Sequence, residues 1–322
     1  MIKGILKWMI GTLLAFVLMF FLVFVVIAVM ADDEPVVKDN SYLYISLSGS
    51  VSEYQAPDPF AEVFGENELD MKKVRDILEK AAVDERVNGV VLKLEYLQVG
   101  YGKIQELRQL IRHFQQSGKP IFAYLGPDLA FTKDYYVASA CDSVFMPPST
   151  NLFLNGIGGE ITFYKDFFKK FGIEAEFVQI GKYKNAPDVY TRSSISGPHR
   201  EVLENILSIR YKHLINTIAE SRGLTSKQVK NLMENISGFT GREAIKHNLI
   251  DRSCYIDDFV QQLSTNRHKP NKLSAQDYAS VPASSLKIRN KSRIAVINCV
   301  GMISGGSDTD DPYFGKIMGA QT

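Results

Sequence analysis

The sequence predicts an α/β domain with a parallel sheet, carried behind an N-terminal membrane-spanning helix. Two observations carry this: short β-rich runs alternate with runs of helical period from residue 42 onward, and no charged residue occurs from Trp8 to Ala31. A third is that the runs between successive strands are long enough to be crossover helices, which parallel neighbours require.

The apolar run comes first. Residues 8–31 are long enough to cross the roughly 30 Å hydrocarbon core as a helix. Lys3 and Lys7 precede them and Asp32, Asp33 and Glu34 follow, so the positive-inside rule puts residues 1–7 in the cytoplasm and everything after residue 32 outside it. A cleaved signal peptide is the alternative, with Val29 and Ala31 as the small residues of a cleavage site, but its apolar region is usually about 7 to 15 residues. The expectation is a single-pass anchor in the inner (cytoplasmic) membrane with an extracytoplasmic domain.

Residues 32–40 read as a linker. The alternating "SYLYISLSGSV" then gives a strand over 42–48 that ends at Gly49, and "MKKVRDILEKAAVDERV" places Val74, Ile77, Leu78 and Ala81 on one helical face. "NGVVLKLEYL" reads as a buried strand, and "GKIQELRQLIRHFQQSG" as a helix with Ile104, Leu107, Leu110, Ile111 and Phe114 on one side. "KPIFAYLG" is a strand, "KDYYVASAC" a short helix and "DSVFMPP" a strand. A Gly-rich turn, "FLNGIGGE", precedes a helix "YKDFFKKFG" and a strand "EAEFVQIG". Gly156, Gly158 and Gly159 do not make the dinucleotide fingerprint.

A long helix follows, "PHREVLENILSIRYKHLINTIAESRG", with Val202, Ile206, Ile209 and Leu203, Leu207, Leu214, Ile218 in register. The helix "TSKQVKNLMENI" and the run "FTGREAIKHNLID" close a domain over 41–263. Residues 264–291 lack an apolar period and read as a linker. From 292 a second copy begins: "IAVINCVGMIS" repeats the design of "YLYISLSGSVS", with Gly301 in the place of Gly49, and 292–322 hold only the start of it.

Composition excludes some classes. Thirty-seven basic against thirty-six acidic residues leave no phosphate-neutralising face, so nucleic acid is not expected as a partner. Setting aside Lys3 and Lys7 leaves 35 basic residues, so the exported part is nearly neutral. Cys141, Cys254 and Cys299 are widely spaced and form no metal-like cluster.

Standard catalytic patterns are missing: HExxH, GxSxG and GxxxxGK[ST] do not occur. His113, His199, His213, His247 and His268 read as helix-face or linker residues. The S-x-x-K match from Ser284 to Lys287 lies in the expected linker. "FVQIGKYKNAPDVYTRSSIS" remains, with Lys182 and Lys184 just past an expected strand, where α/β sheets place their sites. A lysine acts as a general base only if desolvation or a neighbouring cation lowers its pKa, and spacing alone leaves both as solvated charges.

The segment "GKYKNAPDVYTRSSISGPHRE", followed by a long helix and "TGREAIKHNLID", resembles the signal peptide peptidase A (protease IV) family in its long two-repeat form. So do "GVVLKLEYL", "SGKPIFAY" and "YYVASACDSVFMPP". The resemblance implies a ClpP/crotonase-like spiral of ββα units, no cofactor, tetrameric self-association, and hydrolysis of signal peptides or other peptides by a Ser/Lys dyad. It places the general base on Lys184. The family serine belongs to the second repeat, beyond this chain's last residue. The matching place in the first repeat holds Thr132, Lys133 and Asp134, so no nucleophile is expected here. A non-catalytic anchored module that binds peptides or partner subunits is the alternative; acyl-CoA chemistry of the crotonase type fits an exported domain poorly.

Overall fold

The computed structural model describes residues 2–31, 36–55, 69–264, 269–286, 288, 294–299, 301–311 and 315–320. The first is a helix, α1 (Ile2–Ala31). Its side chains are described from Lys7 to Leu22 and at Phe24, and all of these are exposed. Among the described residues no helix is long and apolar enough to cross a membrane. The span expected over 8–31 is therefore not shown by them.

The rest of the chain forms two compact units. One comprises residues up to Leu92, Gln98–Ile121 and Leu263 onward, and the other comprises Lys93–Leu97 and Phe122–Gln262. Both are discontinuous in sequence, unlike the continuous domain expected over 41–263.

In the first unit, β1 (Ser41–Gly49) buries Leu43, Ile45 and Leu47, and α2 (Met71–Val83) buries Val74, Ile77, Leu78 and Ala81, the face its period predicts. Asp70 caps α2, accepting from Lys73 N at 2.6 Å and from Gln55 N at 2.8 Å. The strand β2 (Val87–Leu97), of which Lys93–Leu97 belong to the second unit, and the helix α3 (Tyr101–Gln115) follow, with Ile104, Leu107, Ile111 and Phe114 buried.

The expected linker 264–291 is not one. Asn271–Ser274 form a strand, labelled β8 in chain order, that pairs parallel with β1 in the register Ser41 to Asn271 and Leu43 to Leu273; Ala275–Ala279 (α11) follow at once. Leu273, Ala275, Tyr278 and Val281 are buried, four apolar contacts too irregularly spaced to register as a period. Lys80, only 7% exposed, donates to the carbonyls of Tyr278 (3.1 Å), Ala279 (2.8 Å) and Val281 (2.9 Å), which closes the C-terminal end of α11 with a cation. Gly49 and Gly301, matched in the sequence, both have positive φ, +57° and +124°. Past Gly301 a small sheet forms from β9 (Met302–Ser304), β10 (Thr309–Asp311) and β11 (Gly315–Gly319), whereas residues 294–299 are exposed and form no strand.

The second unit is the parallel α/β structure the sequence predicts. β3 (Ile121–Leu125), whose first residue belongs to the first unit, pairs with β5 (Ser143–Met146), and β5 with β7 (Arg252–Ser253), all parallel. Phe259, in α10 (Ile256–Gln262), packs its ring on Phe122 (5.9 Å), Tyr124 (5.9 Å) and Phe145 (4.6 Å). A second parallel pair, β4 (Leu129–Phe131) with β6 (Asn151–Phe153), has strands of three residues, too short to show alternation in the sequence. Between them α4 (Thr132–Ala138) is buried. Helices α5 (Lys165–Lys170), α6 (Asp188–Thr191), α7 (Gly197–Arg222), α8 (Ser226–Asn235) and α9 (Gly241–Lys246) complete the unit. In α7 the buried positions are Leu214, Ile215, Thr217, Ile218 and Ala219; Ile206 and Ile209, expected in the core register, are exposed.

Asp84, 3% exposed, ties the first unit together. Burial pushes its carboxyl up, but donors from Arg86 (two at 2.8 Å) and Tyr278 Oη (3.0 Å) outweigh that and hold it below the ordinary carboxylate value. The stabilisation is complete above the unfolded value, near 4, and is lost as pH falls through the folded one. Asp84→Asn is therefore expected to cost about 1–3 kcal/mol at pH 7 and to lose less stability than the parent between pH 5 and 3, measured by urea denaturation across that range.

Candidate active site

Lys184 sits where an extended segment turns back. Apart from half-buried Ala175, residues 173–180 are exposed and form no strand among the described residues, a correction to the strand expected over "EAEFVQIG", whose backbone joins no described ladder. Gly181 then takes φ +112°, a conformation an L side chain rarely adopts, and Lys184 N donates back to Gly181 O at 3.3 Å. Asp188 N donates to Asn185 O at 3.0 Å, and the short α6 begins.

An aromatic stack holds this stretch. Tyr190, in α6, lies against Phe177 (5.6 Å), Phe168 (6.1 Å) and Tyr164 (6.1 Å), with ring planes within 23° of parallel. Tyr164 N donates to Val189 O at 2.6 Å, and Ser193 Oγ to Asp166 Oδ1 at 3.0 Å.

The two lysines differ in their partners. Lys182 Nζ lies 3.5 Å from Glu201 Oε2 and 4.9 Å from the centre of the Tyr183 ring, while Tyr183 Oη donates to Glu201 Oε1 at 3.2 Å. The hydrogen bond to Tyr183 and the charge of Glu201 push the Lys182 ammonium above its ordinary value, the opposite of what a base needs. Lys184 is also exposed, and among the described residues no side chain pairs with its ammonium.

The place matched to the nucleophile holds no reactive group. Thr132, the first residue of α4, donates its hydroxyl to Asn155 O (3.0 Å) and accepts from Asn155 N (2.7 Å), so the group bridges two strands' ends. Asp134 is fully buried and accepts from Leu97 N (2.7 Å) and Phe131 N (2.9 Å). Burial raises its pKa against those donors, and it acts as a capping carboxylate. Ser284, of the S-x-x-K match, is exposed on a 3-10 turn (Ala283–Leu286), and Lys287 lies outside the described residues, as does His268.

A cluster that the sequence reading missed lies next to Lys184. Asp188, 6% exposed, accepts from Ser196 Oγ at 2.6 Å; its Oδ2 is 3.7 Å from His199 Nδ1; and Ser196 Oγ, the N-cap of α7, accepts from His199 N at 3.3 Å. The signal present in the sequence was a Ser-Gly-Pro-His helix start, which marks the cap but not its carboxylate partner eight residues earlier.

Residues 113–269 match the family model described as Peptidase family S49. A chloroplastic serine protease SPPA of Arabidopsis thaliana is 31% identical over 275 residues, which take in 83% of this chain and 39% of that protein. Protease 4 of Salmonella typhi is 23% identical over 259 residues, 76% of this chain and 41% of that one. The chain belongs to the signal peptide peptidase A family. It spans about two fifths of the length of these curated relatives. A ClpP1 mutant from Listeria monocytogenes, aligned over 66% of this chain and 92% of its own, is 10% identical with a TM-score of 0.41, too low for an argument to rest on. Lys182, Lys184, Asp188, Ser196 and His199 all fall inside the stretch matched to Peptidase family S49.

Two outcomes follow from these contacts. Glu201→Gln is expected to bring the Lys182 titration midpoint down toward the ordinary lysine value, read by NMR of the ¹³C-dimethylated amines. Thr132→Val, which strands the Asn155 amide and carbonyl, is expected to cost about 1–3 kcal/mol in urea denaturation.

Proposed function

We propose that this chain is the lysine-bearing part of a membrane-anchored serine peptidase that degrades cleaved signal peptides or other peptides, with Lys184 as general base. The observation that carries this is the contrast at the turn: Lys182 is held charged by Glu201 and Tyr183, while Lys184, in the family's lysine motif, has no such partner. In the proposed reaction Lys184 Nζ takes the proton of a serine hydroxyl as its oxygen attacks the peptide carbonyl. The proton then passes from Lys184 to the leaving amine; in deacylation Lys184 Nζ takes a proton from water as the water oxygen attacks the acyl-serine ester, and returns it to the serine oxygen as the carboxylic acid leaves.

The serine is not supplied at Thr132, because that hydroxyl is committed to Asn155 and lies beside a buried carboxylate rather than a lysine. The alternative reading, a non-catalytic peptide- or partner-binding module, draws on the same fact. The ClpP/crotonase-like spiral belongs to this proposal too, on the parallel pairing of both units and on the family. So does self-association, on the exposed apolar surface of Phe167, Phe171, Val178 and Ile180 beside the lysine turn.

The isolated chain is expected neither to cleave a signal-peptide-like substrate nor to be labelled by a serine-directed phosphonate. Robust labelling abolished by Lys184→Ala would overturn this and point to a nucleophile within these residues. Anchoring rests on the uncharged run Trp8–Ala31 within one continuous helix and on the charges flanking it. The expressed chain is expected to stay in the membrane pellet after alkaline carbonate extraction, and release into the supernatant would refute the anchor.

A further inference from the structure

We infer that Asp188 is a positioning residue for Lys184: its buried carboxylate ties the turn that presents the lysine to the first turn of α7. This rests on the reading of Lys184 as the functional amine. The two residues belong to one short hydrogen-bonded run, since Lys184 N closes on Gly181 O, Asp188 N closes on Asn185 O, and Tyr190 N and Thr191 N close on Pro187 O at 3.0 and 3.1 Å. Among the described residues no backbone hydrogen bond joins that run to the body of α7. Side chains make the link: the exposed Lys182 and Tyr183 reach Glu201 of α7, at 3.5 and 3.2 Å, and the buried carboxylate of Asp188 holds Ser196 Oγ at 2.6 Å, which in turn accepts from His199 N at 3.3 Å.

Serine, histidine and aspartate at these distances are not a hydrolytic triad. A nucleophilic serine must give its proton to the imidazole, whereas Ser196 donates to the carboxylate and His199 Nδ1 is buried with no hydrogen-bond partner among the described residues, 3.7 Å from the same oxygen. Nor does the helix need the aspartate for its cap, because Ser196 already satisfies the His199 amide. What Asp188 adds is a tether between a solvent-exposed turn and a helix of 26 residues. A carboxylate 6% exposed gives up its hydration for this, which is offset only if its hydrogen bonds stay closed. With only the exposed Glu201 contacts of Lys182 and Tyr183 to hold it, the turn would sample more positions, and a displacement of about 1 Å can cost on the order of 100-fold in rate.

The test uses the full chain and no activity assay. Hydrogen exchange is followed at the amides of Lys184, Asp188, Tyr190 and Thr191. The Lys184 resonance is followed after ¹³C-dimethylation, assigned by its loss in Lys184→Ala. Asp188→Ala is expected to speed exchange at these amides by about 10-fold or more and to move the Lys184 resonance to the position of free dimethyl-lysine, with protection in α2 and α3 unchanged. Asp188→Asn, which keeps an acceptor for Ser196, should restore most of both. If Asp188→Ala unfolds the chain, Ser196→Ala is read by the same two measures. Faster exchange confined to His199 and Arg200, with the Lys184 turn and resonance unmoved, would overturn the proposal and leave Asp188 a helix-cap residue. Because neither readout depends on proton transfer, a failure of Lys184 as base would show separately, as unchanged hydrolysis or labelling in Lys184→Ala of an active form.

Discussion

A parallel strand cannot be joined to its neighbour by a tight turn, and this constraint shapes both units. The pairs β1–β8, β3–β5, β5–β7 and β4–β6 are all parallel, so each return needs a crossover of its own. At β4 the solution is compressed to the limit, because Phe131 ends the strand and Thr132 starts α4 with nothing between. The buried Asp134 takes the Phe131 amide at that junction and, from the end of β2, the amide of Leu97. The nucleophile-like place of this unit is thus filled by a structural carboxylate and a structural hydroxyl.

Where burial follows a period, the sequence was legible. Val74, Ile77, Leu78 and Ala81 of α2, and Ile104, Leu107, Ile111 and Phe114 of α3, sit inside as their spacing predicts, because a helix with one covered face must repeat its apolar residues every three or four positions. Three-residue strands such as β4 and β6 have too few positions for alternation to show. β8 failed for a different reason: it joins the edge of β1 by backbone pairing and needs only Leu273 on the covered side, so its flanks read as polar linker.

The apolar residues of α7 and of 173–180 mark the opposite failure. Both runs carry closely spaced apolar residues, yet Ile206, Ile209, Val178 and Ile180 stay exposed. Periodicity reports that a face is apolar and not what covers it, so a surface used between subunits and a surface used within one read alike. The lysine motif had a similar ambiguity, since neither Glu201 nor the Asp188–Ser196 link can be placed beside it from spacing.

The turn at Gly181 does the chemical sorting that sequence could not. Two lysines one residue apart share a loop, a solvent and a field, so only specific partners can make them differ. Glu201 and the Tyr183 hydroxyl reach Lys182 and favour its ammonium form. The nearest carboxylate built into the same run, Asp188, spends both its buried position and its hydrogen bond on Ser196 and the His199 side, and no ion pair joins it to Lys184 among the described residues. An amine intended to lose a proton must be kept from such a partner, because an adjacent carboxylate would hold the proton in place. On the proposed reading, the loop's contacts therefore favour Lys184 over Lys182 as the base. The loop does not desolvate that lysine, since Lys184 remains exposed, so the proposed role as base also requires something that covers the turn and removes its water.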